Sequence, residues 1–195
     1  LDELEFPVKR KGSDEVEMQA VGAQTQNNYR RILHAMMEFA TKFYSLEKNP
    51  VSMVAKKRVD RDLPEIFTKE QMDALLKGAE GKPNLTAWIA LGAYAGLRAS
   101  EVEKIEWTDI SLKTETITLR PAITKTRQTR LVKIRPRLKE LLKPIQQAAG
   151  PVITARNFCT STTLQNFRKS FSFEWPHNGL RHSFGTYHYA AFRNA

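Results

Sequence analysis

The chain has 195 residues, enough for one domain and part of a second, and an apolar fraction ordinary for a globular protein. Its formal net charge of +10 suits a polyanionic partner such as nucleic acid, against the competing readings of a solvated basic surface or attraction to anionic lipid. No run approaches the ~20 apolar residues of a membrane helix, no basic-then-apolar leader opens the chain, the single Cys159 precludes an intramolecular disulfide, and no His/Cys/Asp/Glu cluster has metal-ligand spacing. The expectation is therefore a protein of a reducing cytosol, with no cofactor, no metal and no membrane partner.

Leu1 to Gly22 has little periodicity and reads as loop with a short helix at most. Thr25 to Tyr44 reads as a helix N-capped by Thr25. Tyr29, Ile32, Leu33, Met36, Phe39, Ala40 and Phe43 recur at three- and four-residue steps, as a buried stripe would. Arg30 and Arg31 lie early on this helix. Arg30, beside core-facing Tyr29, is expected off the apolar face, free to meet phosphate or water. Asn49-Pro50 stops the element. The basic stretch Ala55 to Asp62, with Lys56 and Lys57, lacks apolar periodicity and marks the domain boundary, giving residues 1–58 and 59–195.

Thr68 and Gln71 form a capping box for a helix whose stripe is Met72, Leu75, Leu76 and Ala79. Helices are expected at Leu85 to Ala95 and Ser100 to Trp107, with Gly96 and Arg98 at their junction. Glu115 to Leu119 and Thr129 to Ile134 alternate with period two and read as an antiparallel hairpin. Its tip, Ile123 to Gln128, has no Gly or Asn for a tight turn, so a long mobile tip is expected. Helices follow at Pro136 to Ala148, Thr160 to Ser170 and His177 to about Ala191.

Three features stand out along this series. Gly96-Leu97-Arg98-Ala99-Ser100-Glu101 is followed by Trp107-Thr108-Asp109, Lys125 sits on the hairpin tip, and His177-Asn178-Gly179-Leu180-Arg181-His182-Ser183-Phe184-Gly185-Thr186 opens the last helix. In this order and spacing they resemble the catalytic domain of the tyrosine recombinases (phage integrases), from about Asp62 to Ala195. A looser echo over Thr25 to Pro50 resembles the last part of an integrase core-binding domain. The resemblance implies a mainly α fold with a small antiparallel β-hairpin or sheet (α+β), and site-specific DNA recombination through a 3′-phosphotyrosine.

It also implies roles. Attack on a phosphodiester builds charge on two non-bridging oxygens, and two arginines can hold them with paired donors without a metal. By resemblance Arg98 and Arg181 are that pair, against the plainer reading of Arg98 as a partner of Glu101 or a helix cap. Lys125 matches the family's general acid. The family places a histidine three residues before its second arginine. Here Asn178 stands there, with His177 one residue earlier; both would share a helical face with Arg181. Asn178 can donate a hydrogen bond but cannot transfer a proton at neutral pH, which leaves the base role open. His182 matches the family's usual neighbour of that arginine.

Arg30, Arg31, Lys56, Lys57, Arg127, Arg130 and His182 are the candidate contacts to double-stranded DNA. The family's tyrosine nucleophile lies beyond a second histidine, so the resemblance implies a C-terminally truncated domain that is a monomer in isolation, whereas the family acts as a tetramer on DNA. The implied setting is a bacterial or phage-derived protein at the nucleoid. Tyr187 and Tyr189 are expected to be packing residues. The joins at Lys9 to Asp14, Tyr44 to Lys48 and Lys169 to Trp175 are short for the family, as a lost loop would make them. A non-catalytic DNA-binding module and a type IB topoisomerase remain the alternatives.

Overall fold

The computed structural model describes residues 5–9, 16–60 and 63–192. The chain divides into two units, Leu1–Asp62 and Leu63–Ala195. The join expected between Lys9 and Asp14 lies largely outside the described residues.

The first unit opens with a ribbon, not with the loop or short helix read from sequence. β1 (Glu5–Lys9) pairs antiparallel with β2 (Val16–Ala20), Glu5 opposite Ala20 and Lys9 opposite Val16. Pro7 cannot donate to a ladder, which a two-stranded ribbon tolerates because both strands are edges. α1 runs over Ala23–Phe43 and starts at Gly22 without a side-chain cap. Thr25 is therefore inside the first turn, its N–H on the Gly22 carbonyl at 2.9 Å, and is not the cap. The apolar stripe of α1 is present but is not core: Tyr29, Ile32, Met36, Phe39 and Phe43 are all exposed within this unit. Asn49 folds the following segment back. Its side chain accepts from Val51 N–H and donates to the His34 carbonyl and the Glu38 carboxylate, each at 3.0 Å.

In the second unit, α2 (Lys69–Gly78) has the expected capping box, Thr68 and Gln71 exchanging bonds at 2.9 and 3.2 Å. α3 (Pro83–Ala95) is apolar all round and is the centre of the core, as a helix of that pattern must be. It ends at Gly96, whose φ of 64° no residue with a Cβ adopts cheaply, and Leu97 N–H reaches back to the Leu91 carbonyl. α4 is a single turn, Ala99–Val102, not the helix to Trp107 that the sequence suggests. The competing interaction is with a distant loop. Trp107 N–H donates to Gly150 and Val152 N–H to Ile105, and this pairing draws Glu106 into extended backbone opposite Pro151, after which Trp107–Asp109 forms a short 3-10 turn.

The sheet has three strands, with β4 (Thr116–Leu119) between β3 (Ile110–Ser111) and β5 (Arg130–Lys133), all antiparallel. The two-residue β3 is too short to show a period. α5 (Pro136–Leu142) is shorter than expected because Pro144 has no N–H for the ladder and its ring crowds the preceding turn, and only a tight turn continues to Ile145. α6 (Thr162–Lys169) is capped by Ser161. The short join after it is built of packed aromatic rings: Phe171 stacks on Phe173 at 5.1 Å and Trp175 meets Phe67 edge-on at 4.9 Å. α7 (Gly179–Phe192) packs on α3 and closes the core through Leu180 and Ser183.

Candidate functional site

Arg98 leaves α3 in extended backbone and starts α4. Glu101, fully buried, accepts from the Arg98 backbone N–H at 2.8 Å and from its guanidinium at 2.8 Å. The same carboxylate takes Arg130 of β5 at 3.0 Å. One buried anion thus orients two arginines and leaves a net positive charge at the surface. The plain reading of Arg98 as a partner of Glu101 is correct, but the pairing aims the arginine and does not retire it.

Arg181 sits on the first turn of α7 and donates to the carbonyl of Gly96. Burial, and then the neighbouring charges of Arg98 and Arg130, pull its guanidinium below the ordinary value, with Glu101 opposing. Arg98 and Arg181, far apart in sequence, line one cavity of about 350 Å3, and His177 and Asn178 line it too. The helical-face argument for these last two does not hold. α7 begins at Gly179, and Asn178 has a left-handed φ of 54°. Both residues are exposed on the turn before the helix, where the Asn178 carbonyl accepts from His182 N–H at 3.0 Å.

His182 lines a second concavity with Arg130, Lys133, Arg135 and Arg181, so Arg181 borders both. Lys125 and Arg127 are exposed on the tip between β4 and β5 and do not line the cavity of Arg98 and Arg181. That tip is a hydrogen-bonded turn rather than a free loop. Thr124, buried with Ile123, donates to the Gln128 carbonyl at 2.9 Å, and Arg127 has a left-handed φ of 51°. Tyr187 and Tyr189 are 48% and 59% exposed, so neither is the packing residue expected; the Tyr187 hydroxyl donates to the Phe67 carbonyl at 3.0 Å. Sequence reasoning missed Arg168, Trp88 and Trp175 as cavity residues. No motif marks them, and only the tertiary contact of Arg168 with the rings of Trp88 and Trp175 brings the three together.

In the first unit Arg30, Arg31, Lys56 and Lys57 do come together, around a basic concavity shared with Asn27 and His34. Arg30 is not free as expected: its guanidinium donates to the Val51 and Val54 carbonyls and fastens that segment to α1. Asn27 exchanges two bonds with the Lys57 backbone, at 2.8 and 2.9 Å. Arg31 and Lys56 are exposed. Among the described residues no group of His, Cys, Asp and Glu could hold a metal, and no helix is long and apolar enough to cross a membrane.

Comparison with known proteins matches residues 65–190 to the Phage integrase family. IntQ of Escherichia coli, described as a defective protein, is 28% identical over 107 residues, covering 55% of this chain and 27% of that protein. A tyrosine recombinase of Thermosipho africanus is 27% identical over 161 residues, covering 80% of this chain and 54% of that one. The chain therefore spans about half, or less, of the length of these relatives. Among solved structures, the Tn1549 transposon integrase in complex with transposon right end DNA superposes with a TM-score of 0.69 at 18% identity, over 89% of this chain and 69% of that chain. At that identity the likeness carries the fold.

Proposed function

The chain belongs to the phage integrase family, and on that premise we propose that it is the phosphodiester-binding part of a site-specific DNA recombinase, an enzyme that breaks and rejoins DNA strands through a 3′-phosphotyrosine. The observation that carries this reading is the convergence of Arg98 and Arg181 on one cavity, each held from behind by a different acceptor, Glu101 and the Gly96 carbonyl. Two fixed guanidinium groups can meet the two non-bridging oxygens of a phosphate and stabilise the charge that grows on them during attack. Their orientation is settled before substrate arrives, so little reorganisation remains for the reaction step.

Asn178, on the turn beside Arg181, is the positioning donor, and His177 is the group there that can move a proton near neutral pH. Lys125 reaches the departing sugar oxygen from the β4–β5 tip once DNA lies across the site, and protonates it. Double-stranded DNA is the partner. It runs from this cavity past Arg127, Arg130 and His182, while the basic concavity of Arg31, Lys56 and Lys57 in the first unit, part of a core-binding domain over residues 1–58, holds the backbone elsewhere. The chain is a monomer alone and a tetramer on DNA.

Among the described residues no tyrosine lines the cavity. The second reading is a module that grips DNA and does not cut it. One experiment separates the two: incubation with a nicked suicide duplex, followed by denaturing electrophoresis. A covalent adduct selects the enzyme. Salt-sensitive binding that Arg98→Gln and Arg181→Gln leave unchanged selects the module, and no binding at all at low salt overturns both.

A further inference from the structure

The cavity of Arg98 and Arg181 has a second cationic end. Arg168 of α6 also lines it, with Trp88 and Trp175. The guanidinium carbon of Arg168 lies 5.3 Å from the Trp88 ring centroid and 5.1 Å from that of Trp175. Two aromatic faces hold the plane of the cation, yet they satisfy none of its five N–H donors. Among the described residues the Arg168 side chain has no hydrogen bond or ion pair, and its Nε is buried without an acceptor. The other arginines of the site are anchored, Arg98 and Arg130 on Glu101 and Arg181 on Gly96.

The arginines of the cavity have different neighbours: Arg181 feels Arg98, Arg130 and Glu101, whereas burial pulls the Arg168 guanidinium down, with Cys159 opposing. The cavity is also lined by the apolar residues Gly92, Leu97 and Leu180. A guanidinium drawn partly out of water without a counter-charge is unfavourable unless something supplies one, and preoriented donors at the edge of a cavity select an oxyanion.

We propose that Arg168, seated on Trp88 and Trp175, is a second oxyanion subsite of this cavity, taking a phosphate group distinct from the one held by Arg98 and Arg181. The occupant is either the neighbouring phosphate of the same DNA strand or free inorganic phosphate; the first of these rests on the recombinase reading, the second does not. Two of the three tryptophans of the chain touch the arginine, so the subsite reports on itself.

The test is titration of the full chain with inorganic phosphate, followed by tryptophan fluorescence and by 31P NMR. The wild type should bind at two places, one of which changes the fluorescence. Arg168→Gln should weaken the fluorescence-detected event about tenfold or more and leave the other. Arg181→Gln should do the reverse. Should Arg168→Gln fail to fold, Arg181→Gln decides alone: with that end disabled, one phosphate must still bind and change the fluorescence. If it does not, or if folded Arg168→Gln titrates like the wild type, the proposal is overturned. If Arg181→Gln instead leaves both events intact, the phosphate pair of Arg98 and Arg181 is wrong and the Arg168 subsite stands. In duplex binding, a drop of about 0.9 in the slope of log affinity against log salt on Arg168→Gln identifies a DNA phosphate as occupant. An unchanged slope with lost phosphate binding identifies the free anion.

Discussion

The guanidinium of Arg181 donates to the carbonyl of Gly96, two residues before Arg98. The contact joins the end of α3 to the start of α7, and makes the spacing of the two arginines a property of the backbone rather than of two flexible side chains. Gly96 can offer that carbonyl because its left-handed φ of 64° turns the chain there. A Cβ at this position would also overlap the ring of Phe184. Gly96→Ala should therefore cost more than about 1 kcal/mol in stability and weaken phosphate binding as well. Thermal melting and a phosphate titration check the two effects, and a variant with full stability and full binding would refute the backbone argument.

Glu101→Ala should be the most damaging single change in the site. The carboxylate is fully buried and serves Arg98 twice and Arg130 once. Removing one member of a buried ionic group costs about 3–5 kcal/mol when the charges left behind are desolvated. Arg98 and Arg130 stay partly in water, so the low end of that range is expected. The unfolding free energy from urea melts measures it. A loss below about 1 kcal/mol would mean that the arginines are positioned by something else.

Much of this arrangement was legible in the sequence because local signals and long-range needs agreed. The capping box at Thr68, the all-apolar α3 and the alternation in β4 and β5 each had one sensible structure. Motif order picked out Arg98 and Arg181, which line one cavity. Failure came where a distant partner decided the outcome. Residues 105–107 leave the helix for the loop at 150–152, Arg30 is taken by carbonyls of the next segment, and the stripe on α1 has the period of a buried face but no cover in its own unit. Arg168 has no motif at all, since a cation on two tryptophans is a tertiary event.

Within the first unit, neighbouring arginines should behave differently. Arg31 is exposed on the basic concavity, so Arg31→Ala should lower the slope of log affinity against log salt for duplex DNA by about 0.9 and leave stability unchanged. Arg30→Ala should instead loosen the segment that contains Val51 and Val54, seen as faster amide exchange there. Fluorescence anisotropy at several salt concentrations, paired with hydrogen exchange, distinguishes them. Equal behaviour of the two variants would contradict the assigned contacts.

Cys159 provides a pH signature. Burial first, and then Glu103, push its thiol up from 9.0 to about 11. The folded chain therefore holds this proton more tightly than the unfolded one. Its contribution to stability is complete below pH 9 and is lost as pH rises from there toward 11. Urea midpoints should fall across that window in the wild type and fall less in Cys159→Ser. Thiol alkylation of the native chain at pH 8 should also be slow. Rapid alkylation there would show the thiolate to be accessible and the burial argument wrong.

Tyr187 tests how the end of the chain relates to the cavity. Its hydroxyl donates to the Phe67 carbonyl at 3.0 Å, at the entry to α2, and Phe67 N–H in turn donates to the Ser183 hydroxyl at 2.9 Å. The residue thus ties α7 to the stretch of backbone before α2, and it does not line the cavity of Arg98 and Arg181. Tyr187→Phe should lose one hydrogen bond, about 1 kcal/mol, while phosphate and duplex binding stay as in the wild type. Tyr189→Phe, exposed and without such a bond, should change neither stability nor binding. Both variants should leave the result of a nicked suicide duplex unaltered. An adduct that forms with the wild type and disappears in Tyr187→Phe would make this tyrosine the nucleophile, and would require α7 to release Phe67 before it could act.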